Sequence, residues 1–156
     1  MPRILGTPHW PQFSLHRFTF QAAKVAASAN LALTVTATDA TSGTLGINGI
    51  VLPFAGSIVR AAWNWSGAIT GGTFTLTPTL NGANISVAKL IASALATQNG
   101  LVAVDGQEPG ARFAAPTPAG VPVLLGVNLV TTSGFLPAAS LDLSVDVYVL
   151  LENVQL

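Results

Sequence analysis

Hydrophobic and polar residues alternate with a period of two over much of the chain, most regularly near its end. In residues 141–152, Leu141, Leu143, Val145, Val147, Val149 and Leu151 fall on one side of an extended backbone. Asp142, Ser144, Asp146, Tyr148 and Glu152 fall on the other, and only Leu150 breaks the pattern. This is the pattern of a strand with one buried face. A strand so long and so one-sided needs a second apolar surface to cover it, which predicts a two-layered β structure.

The preceding chain supplies that surface in the same period. Residues 30–38 place Leu31, Leu33 and Val35 against Thr34, Thr36 and Thr38, and residues 50–54 form a short apolar strand that Pro53 confines to an edge or an end. In residues 57–66, Val59, Ala61, Trp63 and Trp65 share one face, with Ile58, Arg60 and Asn64 on the other. Two tryptophans two residues apart on a strand read as a core or oligomer anchor. Residues 71–80 set Phe74, Leu76, Pro78 and Leu80 against Thr73, Thr75, Thr77 and Thr79. Asn81-Gly82 is the dipeptide favoured in a type I′ turn, so residues 85–90 are read as the returning strand. Residues 87–97 fit both a strand and one face of a short helix, and strand followed by irregular chain is preferred. Residues 105–120, rich in Gly and Pro, are read as a long surface loop. Val123, Leu125, Val127 and Leu129 then share a face of a strand over 121–131. The predicted fold is all-β, an antiparallel β-sandwich over residues 30–156.

Residues 1–29 differ in kind. They hold Arg3, Arg17 and Lys24 with no acid, together with Trp10, Phe13, Phe18 and Phe20, and Pro2, Pro8 and Pro11 exclude an early helix. A short strand is expected at 14–21. The segment reads as an extended N-terminal arm, which either packs over its own sandwich or docks on a neighbour. Charge supports docking. Residues 1–78 carry four basic side chains against one acidic, and the remainder two against five, so an arm of one subunit complements the body of the next.

Composition narrows the function further. At 156 residues and 50% hydrophobic content the chain supports one core, while charged residues make up only 8%. So few charges favour burial of the surface against copies of the chain or a larger assembly, and a homotrimer is expected. Six basic residues matched by six acidic ones give no nucleic-acid-binding face. Prolines and polar residues interrupt the one long uncharged run, too few aromatics are present for the girdles of a membrane barrel, and the first residues lack the apolar core of a secretion signal. No membrane partner is expected.

Candidate chemistry is sparse. His9 and His16 both lie in the arm without an acidic neighbour, which argues against a catalytic triad or a histidine zinc site. Asp105 and Glu108 fall short of the ligands calcium needs, and Gly43, Gly46 and Gly49 lack the Lys-Ser/Thr of a phosphate-binding loop. Without a secretion signal, the acceptor patterns at Asn64 and Asn84 carry almost no weight. No catalytic residue, metal ligand or cofactor is assigned.

The succession of IVLPF, GSIVRAAWNW, TFTLTPTLNGANIS, a Gly/Pro loop, VPVLLGVNLVTTSGF and LDLSVDVYVLLE, over about residues 45–152, resembles the small β-sandwich proteins of tailed bacteriophages. These include capsid decoration (cement) proteins and head or tail fibre domains. The resemblance implies a jelly-roll-like sandwich, usually a homotrimer, without enzymatic activity. Decoration is favoured because such proteins often clamp neighbouring subunits through an extended terminus. The implied setting is the outside of the virion capsid, with the major capsid protein as partner. Arg3, Trp10, Phe13, His16, Arg17, Phe18 and Phe20 would form the binding arm. A receptor-binding or fibre domain, with the 105–120 loop as its reader, is the alternative, and a carbohydrate-binding module or an enzyme comes last.

Overall fold

A computed structural model describes residues 12–35, 49–85, 99–103, 111–114 and 123–153, and every regular element among them is a strand. In chain order these are β1 (Gln12–Ala22), β2 (Asn30–Ala32), β3 (Ile50–Leu52), β4 (Gly56–Trp65) and β5 (Phe74–Leu80), followed by β6 (Ala83–Asn84), β7 (Asn99–Ala103), β8 (Arg112–Phe113), β9 (Val123–Thr131) and β10 (Leu143–Asn153). They make two five-stranded sheets. In the first the order is β1-β10-β4-β7, with β8 also on β4. In the second it is β2-β9-β5-β6, with β3 also on β9. All pairings are antiparallel, and the fold is a β-sandwich.

The strand with the clearest alternation lies inside its sheet. β10 is paired on both sides, and the side chains of Leu143, Val145, Val147, Val149 and Leu151 are all buried. In the second sheet β9 holds the equivalent place, and Leu125, Val127 and Leu129 join the same core cluster. Burying these two apolar faces against each other supplies most of the driving force, since each large aliphatic side chain contributes about 1.5–3 kcal/mol on leaving water.

Two local features shape the framework. At the β5–β6 turn both Asn81 (φ 53°) and Gly82 (φ 78°) are left-handed, as a type I′ turn requires. The Asn81 carboxamide oxygen also accepts the Leu124 N–H at 2.8 Å, which ties the turn to β9. At the other end, the buried Thr131 hydroxyl accepts the N–H of Ala29 and donates to the C=O of Ala26, both at 2.8 Å, so the link from β1 to β2 is held to β9.

The structure revises the sequence reading in several places. The returning strand of the hairpin is Ala83–Asn84 and not 85–90, of which residues 86–90 lie outside the described residues, and Asn99–Ala103 is a strand that the sequence reading did not assign. Residues 12–22 are not part of a free arm, because β1 pairs with β10 along its whole length, from Gln12 opposite Asn153 to Ala22 opposite Leu143. The sandwich therefore begins at residue 12, and only residues 1–11, outside the described residues, remain to act as an arm. In β4 the register against β10 shifts, with Arg60 opposite Tyr148 but Ile58 opposite Val149. Val59 is the extra residue of this bulge, so Ile58 turns into the core and Val59 is only half-buried, the reverse of the simple alternation. Finally, the 105–120 stretch contains β8, and Ala111 beside it is buried and accepts the Ile58 N–H at 2.9 Å. The rest of that stretch and the ambiguous 87–97 segment lie outside the described residues.

Candidate functional site: the outer face and free edge of the first sheet

Opposed residues of antiparallel strands share a face, so the β1–β10 register assigns each side chain. Phe20 and Phe18 face inward, opposite Val145 and Val147, and His16 follows opposite Val149. Phe13, Leu15, Arg17, Thr19 and Gln21 point outward, in rows with Glu152, Leu150, Tyr148, Asp146 and Ser144 of β10. The candidate arm residues thus separate. Phe20 is fully buried, belongs to the core and is removed from the docking set. Phe18 is half-buried against that core, and its ring stacks on His16 with centroids 6.3 Å apart. Phe13 is 53% exposed, and His16 and Arg17 are exposed too. Arg3 and Trp10 lie outside the described residues.

The outer face is apolar at several points. Leu15 is 61% exposed and Leu101 of β7 is 59% exposed, with Leu150 and Tyr148 half-buried between the edge strands. Leu15 and Leu101 escaped the sequence reading. The phase of β1 carried the signal for Leu15, since Phe13 and Leu15 must lie opposite in face to Phe18 and Phe20. On the second sheet Val51, Leu124 and Val130 are likewise exposed. Charges on the first sheet are largely matched within the chain. The Arg17 guanidinium lies 4.0 Å from the Asp146 carboxylate, which also accepts the Thr19 hydroxyl at 2.6 Å, and Arg112 meets Glu152 at 3.4 Å. Such exposed pairs contribute at most about 1 kcal/mol each. The basic end therefore spends part of its charge on its own body rather than on a neighbour.

Trp63 and Trp65 lie in the core, not on the surface. Trp65 is fully buried and makes edge contacts with Phe74 at 5.2 Å, while Trp63 meets the same phenyl ring at 6.1 Å. Trp63 sits directly opposite Gly100 in the β4–β7 ladder. A Cβ at Gly100 would fall inside the envelope of the indole, so the missing side chain is the space the ring occupies. Gly100→Ala is expected to cost about 1–3 kcal/mol through overpacking, read as a lower thermal midpoint. A variant as stable as the parent would show that the ring moves freely aside.

An open cleft of about 610 Å³ lies where the ends of β1, β4 and β10 meet β2, lined by Gln21, Leu31, Thr34, Asn64, Asp142 and Ser144. Its carboxylate is already engaged, since Asp142 accepts the Lys24 N–H at 2.9 Å, and Asp142 N–H donates to the Ser66 hydroxyl at 2.9 Å. Among the described residues no three His, Asp or Glu side chains gather to hold a metal ion. The arrangement offers a surface for contact: apolar side chains flanked by matched charges, beside a long strand edge. The sequence matches neither a known protein-family model nor a curated protein.

Proposed function

We propose that this chain is a structural protein of a tailed-phage-like virion that associates with itself, binds the outside of the capsid and ties neighbouring shell subunits together, with the major capsid protein as partner. The carrying observation is the exposure of Phe13, Leu15, Leu101, Val51 and Val130 on the outer faces of both sheets, in a chain with only 8% charged residues. Exposed large apolar side chains in so weakly charged a chain support contact with other protein. The resemblance over residues 45–152 supplies the kind of assembly.

The experiment is co-sedimentation of the purified protein with empty heads assembled from a tailed-phage major capsid protein. Saturable binding is expected. Deleting residues 1–11 removes Arg3 and Trp10 while sparing β1. If Trp10 is a buried anchor contributing about 2 kcal/mol, affinity falls roughly 30-fold. Unchanged affinity would move the cementing surface from the arm to the sheet faces. Failure to bind heads, with binding to host cells instead, would replace this reading by the fibre alternative.

A further inference from the structure

We propose that β1 pairs with the β1 of a second copy across a two-fold axis, joining the first sheets of two chains into one continuous sheet. The observations are of the edge itself. Among the described residues β1 is an edge strand of eleven residues, whereas the strands at the other sheet margins are shorter: five residues in β7, three in β2 and in β3, two in β6 and in β8. Short edges resist pairing with other chains, and a long one without proline, bulge or lysine invites it. β1 has none of these protections, and Arg17 is its one permanent charge.

The direction of the backbone groups follows from one contact. Gln21 N–H donates to Thr34 C=O at 2.7 Å and Thr34 N–H donates to Gln21 C=O at 3.0 Å, so Gln21 turns its backbone groups away from β10. Strand alternation then sends those of Phe13, Leu15, Arg17 and Thr19 to the same free side. Among the described residues no strand lies on that side beyond Thr34.

One register satisfies all four positions. Centred on His16, it sets Phe13 against Thr19 of the second copy and Leu15 against Arg17, and each such pair exchanges both backbone bonds. Shifting the centre to Arg17 places two guanidinium groups opposite each other and Phe13 against Gln21, whose backbone groups Thr34 already takes. Shifting it to Leu15 sets Thr19 against Pro11, which has no N–H to give. The strand is complementary to itself, which is why the occupant is a second copy.

The inference stands independently of binding to a shell, and it gives a pair of chains in place of the homotrimer expected from the low charge and implied by the resemblance. Sedimentation of the full chain should return twice its 15.9 kDa mass. The chain contains no cysteine, so single-cysteine variants report the register. Facing His16 residues would have Cα atoms about 4.5 Å apart, within disulfide reach, and oxidised His16→Cys should become a covalent pair. Arg17→Cys would sit beyond about 7 Å from its counterpart and should not cross-link. Leu15→Pro removes an N–H on the free side and none from the β10 ladder, so it should fold normally and dissociate about 100-fold more readily. A wild-type mass of one chain would overturn the proposal, showing that this edge is closed or reserved for a different strand. Equal cross-linking of the two cysteine variants, or a Leu15→Pro protein that self-associates as the parent does, would also overturn it. A larger assembly in which only His16→Cys cross-links would keep the pair as its unit.

Discussion

Replacing Trp65 with alanine is expected to destabilise the protein by about 3–5 kcal/mol, as truncation of a large buried aromatic does. The side chain is fully buried, and its ring lies 5.2 Å from both Phe74 and Phe135. These contacts join β4, β5 and the segment after β9, so the hole would open between the two sheets. A domain of this size loses about 2–4 °C per kcal/mol, so the thermal midpoint should fall by roughly 6–20 °C. Thermal unfolding followed by circular dichroism measures this. A midpoint within about 2 °C of the parent would show that the neighbouring side chains close the hole.

Deleting residues 1–20 should abolish the folded state altogether. The truncation removes most of β1, makes β10 an edge strand and takes Phe20 from a core in which it is fully buried. Loss of Phe20 alone is a change of about 3–5 kcal/mol, and the lost ladder and Phe18 contacts add to it, against a total stability of about 5–15 kcal/mol for a domain. The truncated chain should lack a cooperative melt and collect in the insoluble fraction. The 1–11 deletion should melt as the parent does. A soluble 1–20 deletion with the parent's spectrum and midpoint would mean that β1 only lies against the sandwich.

These expectations differ from those of a free arm because the sequence conveys strands and faces better than it conveys partners. β9 and β10 were legible because each has neighbours on both sides and one covered face, so Leu125, Val127 and Leu129, or Val145, Val147 and Val149, alternate cleanly with more polar residues. The Asn81-Gly82 turn was legible because few residue pairs accept two left-handed positions. β1 was harder. Phe13 and Leu15 are apolar on the outer face, Phe18 and Phe20 on the inner one, and the alternation is blurred. Its partner lies far along the chain, so nothing local announces the pairing. The Val59 bulge was hidden for a related reason: Ser57-Ile58-Val59-Arg60 alternates equally well in either phase, and only the register against β10 selects one. Of the candidate residues, Phe13, His16 and Arg17 were named by residue type and are exposed, whereas the exposure of Leu15 and Leu101 depends on sheet order.

The pairing of β1 with β10 also fixes an order of events. Thr19 and Asp146, which share a hydrogen bond, are separated by 127 residues, and the first sheet cannot close until β10 has left the ribosome. Until then β1 lacks its partner strand within the chain, and Phe18 and Phe20 wait in water beside the rest of the nascent chain. Loop closure on this scale is slow, and folding dominated by such distant pairings runs in milliseconds to seconds rather than microseconds. The vulnerable interval of this protein is therefore its synthesis: a ribosome that pauses before residue 143 holds out a long, unpaired aromatic strand to every neighbouring chain.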